Sequence, residues 1–540
     1  MDEPDVDTFH SRRSTMYAPN GMVATSQPLA ASAGVDVLRD GGNAFDAAVA
    51  TAAVLNVTEP TSTGLGGDVF MLYRTADGEV GAMQACGGAP GDATVEALRE
   101  RVAEQEGVDP AAAEMPERGP HAVTVPGTAR GWEATVREFG RRSLADVLQP
   151  AIDYAVEGYP VTPVIADAWQ HQEDVFVGDH ARATYLFDGA APSTGQHVRL
   201  PELGESLRAV AEEGADVVYQ GHLGEAIVEE LQSRGGLMTT DDLRSFEVAW
   251  PDPVSTTYRG AEVYELPPNN QGLVAIEALN IAAELDAGAE PYDSPERVHR
   301  FAEALKLAFH DGHHYITDPD YRDVPDLGST AYARERAREV GETANREVTF
   351  GVPGARAEDA DTVLLTATDD AGNVVSYINS RFMGFGSGLV AGDTGIALQN
   401  RGASFSLDPD HPNRVEPGKR PFHTLIPGVA KFGPDDWAAF GVMGGYMQPQ
   451  GHLQVLSNVL DYDMSLQTAL DMPRWRYREN GQLAVEPHFD GDVANGLVRR
   501  GHEVVIQPPA AFGGAQVTRN DGGVVSGATE PRKDGEAVGY

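Results

Sequence analysis

The hydrophobic pattern of the chain turns from mainly helical to mainly strand near residue 361, and that change places most of its strands late. Residues 28–40 and 43–57 read as helices separated by Gly41 and Gly42, the second apolar nearly all round and therefore buried. Residues 69–74 and 79–84 read as a hairpin around Asp77-Gly78. From about 127 to 345 a helical period dominates, clearest at 144–157, 203–214, 222–234, 270–285 and 294–315, with a strand pair near 253–266. Residues 346–361 have no period and read as an exposed loop. The pattern then changes to strands at 363–368 and 374–380 around a turn at Asp369-Asp370-Ala371-Gly372, with further strands expected near 394–399, 424–430, 437–443, 483–487, 502–507 and 514–527. An α/β chain with a mainly sheet last third is the expected fold class.

Charge excludes one class of partner. The 540 residues carry 82 acidic and 40 basic side chains, a formal −42, and only four of the basic residues are lysines. A field of that sign repels a phosphate backbone, so no nucleic-acid partner is expected. The carboxylates are spread along the chain, which suits a solvated surface in very salty water, where screening shortens their repulsion. No run of 18 apolar residues occurs, so no membrane span is expected. Arg12-Arg13 begins a weak twin-arginine pattern, but Pro19, Asn20, Ser26, Gln27 and Pro28 interrupt the apolar run that should follow. A cytoplasmic location is expected. The single cysteine, Cys86, rules out an internal disulfide and a cysteine-rich metal knuckle.

Several motifs invite chemistry and fall short of it. His310, Asp311, His313, His314, Asp318 and Asp320 have the residue types of a zinc or manganese site, yet they stand at a helix end, where capping is the simpler use. No metal and no organic cofactor is expected. Gly384-Phe385-Gly386-Ser387-Gly388 and Gly64-Leu65-Gly66-Gly67 lack dinucleotide spacing, and Gly418-Lys419 lacks the earlier glycine of a phosphate loop. Ser387 lacks the first glycine of a nucleophile elbow. There remains Thr362, the residue between the aperiodic loop and the first late strand. Cleavage of Asp361-Thr362 would free an α-amine, with a reference pKa of about 7.7–8.0, one short reach from the threonine hydroxyl: a nucleophile that carries its own base.

The motifs also occur together in a recognisable order. Gly41-Gly42-Asn43-Ala44 with Asp46-Ala47-Ala48-Val49, Glu59-Pro60 through Asp68, Thr124 to Gly127, Gly418-Lys419-Arg420-Pro421, Gly444-Gly445 and Gly527 to Gly535 resemble those of the γ-glutamyltransferase family. The resemblance implies a self-cleaving N-terminal-nucleophile hydrolase with a four-layer αββα core. It implies chains 1–361 and 362–540 remaining associated as a heterodimer in one integrated fold. Thr362, ten positions before the turn glycine Gly372, takes the nucleophile's place, Ser380 that of a second hydroxyl, and Gly444 and Gly445 those of the oxyanion hole.

Where such enzymes bind a γ-glutamyl group this chain departs. The carboxylate-binding arginine aligns with Cys86, the ammonium-binding aspartate with Ser404, a serine pair with His423 and Thr424, and an asparagine with Phe382. Asn400-Arg401 through His423 is closer to the cephalosporin-acylase-like branch, which takes dicarboxylic acyl groups such as glutaryl, and Arg401 or His423 is expected to meet a terminal carboxylate. The expected activity is therefore attack by Thr362 on a γ-glutamyl or related dicarboxylic acyl amide; the expected partners are a small amide or peptide, with water or an amine as acceptor and hydrolysis favoured. An acylase without γ-glutamyl activity and an unprocessed binding protein are the alternatives.

Overall fold

The computed structural model describes residues 13–351 and 362–540, so Arg12 and Asp361 lie outside the described residues. Two antiparallel sheets lie face to face, each backed by helices. The six-stranded sheet runs Glu536–Gly539, Met22–Thr25, Val363–Thr368, Val374–Ser380, Asp68–Arg74, Val80–Ala85. The seven-stranded sheet runs Met16–Ala18, Val525–Thr529, Gly514–Asn520, Asp436–Met443, Gly428–Gly433, Ala261–Glu265, Val254–Tyr258. Strands from before and after residue 361 interleave in both sheets, so neither half holds a complete sheet.

Alternation along the strands sends side chains into two different cores. Val363, Leu365, Ala367, Val375 and Tyr377 pack against the helices on the outer face. Leu364, Val374, Ile378, Phe70 and Leu72 fill the layer between the sheets with Val429, Ala439 and Met443. Ser376 Oγ donates to the Phe440 carbonyl across this layer at 2.8 Å, and Thr368 Oγ1 donates to Thr518 Oγ1 at 2.9 Å. Ala430, Phe440 and Val442 face the helices Gly272–Glu284, Pro295–Tyr315 and Met447–Leu460 on the far side. The four layers are the αββα sandwich expected from the resemblance.

The Gly41-Gly42-Asn43 motif starts the central helix. Asn43 Oδ1 accepts from the Phe45 and Asp46 N–H groups while Asp46 Oδ2 accepts from the Asn43 N–H, a reciprocal cap for Ala44–Thr58, all fifteen residues of which are buried. Three expectations need correction. Residues 394–399 hold no strand: the 3₁₀ turn Gly392–Thr394 leads into isolated bridges at Ala397 and Leu398, because the segment folds back on Leu389 and Gly66 instead of joining a sheet. Residues 514–527 split into the strands Gly514–Asn520 and Val525–Thr529. The helix Met447–Leu460 stands where no helix was expected: it buries Gln448, Gln450, His452 and Gln454 with its apolar residues, which erases any amphipathic period. Among the described residues no helix is long and apolar enough to cross a membrane.

Candidate active site

Strand register alone assembles one row of side chains. Val363 pairs with Asn379, so Thr362 and Ser380 end adjacent strands side by side; Ser380 pairs with Asp68, and the Val69–Ala85 pair brings Cys86 beside Asp68 on the next strand. Thr362 shares the parity of Leu364, Ser380 that of Ile378, and Asp68 that of Phe70, so all three face the layer between the sheets. Thr362 Oγ1 donates to Ser380 Oγ at 3.3 Å, and Ser380 Oγ accepts the Phe382 N–H at 2.8 Å. Gly67 lets the neighbouring backbone approach, since a β-carbon there would lie 2.5 Å from the Ser380 carbonyl oxygen. Phe382 is held at φ 80°, a left-handed conformation that its surroundings must enforce.

Gly444 and Gly445 follow the strand Asp436–Met443, whose Gly441 lies against Leu364 of the Thr362 strand. Their φ values are 110° and 55°, and a β-carbon at Gly444 would come within 3.1 Å of Gly513 Cα. Their carbonyls are taken: Gly444 O accepts the Met447 N–H at 2.9 Å, and Gly445 O accepts the Gln448 N–H at 3.2 Å and Gln271 Nε2 at 3.0 Å. Their two N–H groups have no hydrogen-bond partner among the described residues. Two consecutive unpaired donors at the start of a 14-residue helix are suited to a developing oxyanion.

Beyond Ser380 lies a buried charge pair. Arg401 Nε is 3.9 Å from Asp68 Oδ2, and neither side chain is more than 1% exposed. Arg401 Nη1 donates to Thr424 Oγ1 at 2.9 Å, and the guanidinium lies 4.3 Å from the Phe382 ring centre. Its Nε and Nη2 have no hydrogen-bond partner among the described residues. Burial lowers Arg401 to about 10 against the pull of Asp68, and burial raises Asp68 to about 7 against Arg401 and the Gly127 N–H. Ser404 closes the 3₁₀ turn that begins at Arg401, and its carbonyl accepts Asn413 Nδ2 at 2.7 Å.

His423 differs from expectation. Its Nδ1 accepts the Leu425 N–H at 3.2 Å, so Nε2 carries the proton and donates to Asp68 Oδ2 at 3.1 Å. Burial, then Arg401, drives its pKa well below the usual value, leaving the ring neutral with both nitrogens engaged. It holds Asp68 and offers a ligand no charge. Cys86 is a neutral thiol, pushed up to about 12 by burial and by Asp68. Asp68 was not singled out in the sequence; the available signal was a carboxylate in phase with Phe70 and Leu72, at the head of an apolar strand face.

The histidines at the end of Pro295–Tyr315 do not converge. His310 Nδ1 donates to the Thr349 carbonyl at 3.2 Å and His313 Nδ1 to the Phe350 carbonyl at 2.7 Å, His314 is exposed, and Asp318 pairs with Arg420 at 2.7 Å. They bind the following segment, not the helix's own last carbonyls. A second group, His299, Glu303 and His502, is already hydrogen-bonded: His299 joins His502 at 2.8 Å and the Gly341 carbonyl at 2.9 Å, while Lys306 holds Glu303 at 2.6 Å. It borders a cavity of about 740 Å³ that none of Thr362, Ser380, Arg401, Gly444 and Gly445 lines.

This geometry has relatives along the whole chain. The Gamma-glutamyltranspeptidase family profile matches residues 30–540. The Glutathione hydrolase-like YwrD proenzyme of Bacillus subtilis is 39% identical over 536 residues, covering 96% of this chain and 98% of that protein. The Oxamate amidohydrolase proenzyme of Klebsiella pneumoniae is 35% identical over 544 residues, covering 98% and 100%. The crystal structure of cephalosporin acylase from Bacillus halodurans superposes with a TM-score of 0.90 at 43% identity, covering 100% of this chain and 99% of that one. The chain belongs to the γ-glutamyltranspeptidase family and is an enzyme of the self-processing, N-terminal-nucleophile amidohydrolase type.

Proposed function

We propose that the chain is cut between Asp361 and Thr362 into fragments of 361 and 179 residues that stay associated, and that Thr362 then opens amides whose acyl group ends in a carboxylate. The freed Thr362 amine takes the proton from Thr362 Oγ1 as the oxygen attacks the amide carbonyl. The N–H groups of Gly444 and Gly445 stabilise the oxyanion, and Ser380 steadies the nucleophile. The C–N bond breaks as the leaving amine takes that proton, leaving an acyl-threonine ester. Water then attacks the ester, and hydrolysis is favoured over transfer to an amine.

The observation that carries the substrate class is the buried Arg401, fixed by Thr424 and with Nε and Nη2 making no hydrogen bond among the described residues. A planar guanidinium with two free donors suits a carboxylate. Cys86 and Ser404 supply neither the cation nor the anion that a γ-glutamyl α-carbon needs, and a buried ammonium without a counter-charge is costly. The similarity to a glutathione hydrolase-like protein supports γ-glutamyl amides as the second reading.

The test compares glutaryl-anilide with γ-glutamyl-anilide at molar salt, where the −42 of charge is screened. Glutaryl-anilide is the expected better substrate, and Arg401→Gln raises its KM about tenfold to a hundredfold, the worth of a hydrogen-bonded charge. A large preference for γ-glutamyl-anilide would refute the assignment.

A further inference from the structure

We infer that Asp68 is a specificity-determining residue: it neutralises Arg401 in the empty site and releases it to the acyl group's carboxylate by taking up one proton from solvent. The inference rests on the carboxylate-ended substrate proposed above.

Arg401 and Asp68 face each other at 3.9 Å, both withdrawn from water. Asp68 Oδ1 accepts the Gly127 N–H at 3.3 Å and Oδ2 accepts His423 Nε2–H at 3.1 Å, so two neutral donors hold the carboxylate in place. Among the described residues, the other titratable groups around the pair add no compensating charge. Cys86 on the adjacent strand is a neutral thiol, and Tyr219 and Tyr446 are neutral phenols whose buried hydroxyls are pushed upward. Arg420 and Asp318, behind Cys86, are paired with each other at 2.7 Å. The amine of Thr362, once freed, is the remaining titratable neighbour in the row.

One cation and one anion make the empty pocket neutral. A ligand carboxylate at the Nε and Nη2 edge, which faces Asp68 without a hydrogen bond, puts two anions on one buried guanidinium, which the low local dielectric penalises. An arginine does not release its proton to solve this. Asp68, already raised to about 7 by burial, is the group nearest to protonation. An O–H bond forms on Asp68 with a proton drawn from the buffer, no other bond changes, and the new hydroxyl is placed to donate to a second carboxylate. The sign follows. Well below pH 7 Asp68 already carries its proton and binding takes up none; above it, uptake approaches one proton, and Kd rises up to tenfold per pH unit until the liganded carboxyl itself titrates.

The probe is glutarate, titrated into the processed enzyme by calorimetry in two buffers of different ionisation heat. The expected result is about one proton taken up per glutarate at pH 8 and almost none at pH 5.5, with Asp68→Asn binding glutarate more tightly at pH 8 and without uptake. Should Asp68→Asn fail to process, infrared difference spectra of the wild type with ¹³C-glutarate give the same answer, as an unlabelled protonated-carboxyl band appearing at pH 8. Glutarate bound without uptake, equal uptake in Asp68→Asn, or absence of that band overturns the role of Asp68 while leaving the substrate class standing. No glutarate binding at all overturns the substrate class, and this inference with it.

Discussion

Thr362 Oγ1 and Ser380 Oγ lie 3.3 Å apart at the ends of neighbouring strands, and neither side chain is more than 1% exposed. The contact is set by backbone pairing, since Val363 and Asn379 are partners in the ladder. The Phe382 N–H fixes Ser380 Oγ in turn, at 2.8 Å. Ser380→Ala removes one hydrogen bond from the nucleophile, worth about 0.5–1.5 kcal/mol. We expect kcat about two- to tenfold lower, slower appearance of the two fragments, and an unchanged KM, measured by steady-state kinetics and timed electrophoresis. A KM effect alone would place Ser380 in acyl binding instead.

At Gly444 the backbone has φ 110°, and a β-carbon would approach Gly513 Cα to 3.1 Å. Gly444→Ala must rotate the peptide and turn its N–H away. Loss of one oxyanion donor typically lowers kcat by about 10²–10³. That loss, with KM nearly constant in the processed fraction, is the expected outcome; an unchanged kcat would mean that the 444–445 N–H groups meet no developing charge.

Much of this arrangement was legible before the structure. The end of the aperiodic stretch and the strand-rich run from Val363 located the strand Val363–Thr368, and the Val374–Ser380 strand was read with its ends in place. A run from Asn43 that is apolar nearly all round marked a buried helix. The Asp68–Arg401 pair was not legible, because it joins a strand in one half to a 3₁₀ turn in the other, and only the tertiary fold brings them together. His423 was misjudged for the same reason: a neighbouring N–H and a distant carboxylate consume its two nitrogens. The helix Met447–Leu460 was missed because burial on every side leaves a sequence without a polar face.

Away from the catalytic row, Glu277 on Gly272–Glu284 meets the charge of Asp311 on Pro295–Tyr315, which itself binds Tyr332 at 2.8 Å and Arg336 at 2.9 Å. Burial first, and Asp311 second, raise Glu277 well above its usual 4.5. A carboxyl raised by folding stabilises fully below its unfolded pKa, and this contribution is lost as pH climbs through the folded value. The unfolding free energy at constant salt, and the thermal midpoint with it, should therefore fall as pH climbs above the usual 4.5, by at most about 1.4 kcal/mol per pH unit from this group. Glu277→Gln should flatten the profile and raise the midpoint at pH 9. An identical slope in the variant would assign the loss to other groups.

The self-cleavage itself is tested by mass spectrometry of freshly purified, active protein with N-terminal sequencing of the smaller species. Two species of 361 and 179 residues are expected, the smaller beginning with Thr362, while Thr362→Ala remains one uncut, inactive chain. Full activity in a preparation that contains only the intact 540-residue polypeptide would contradict it.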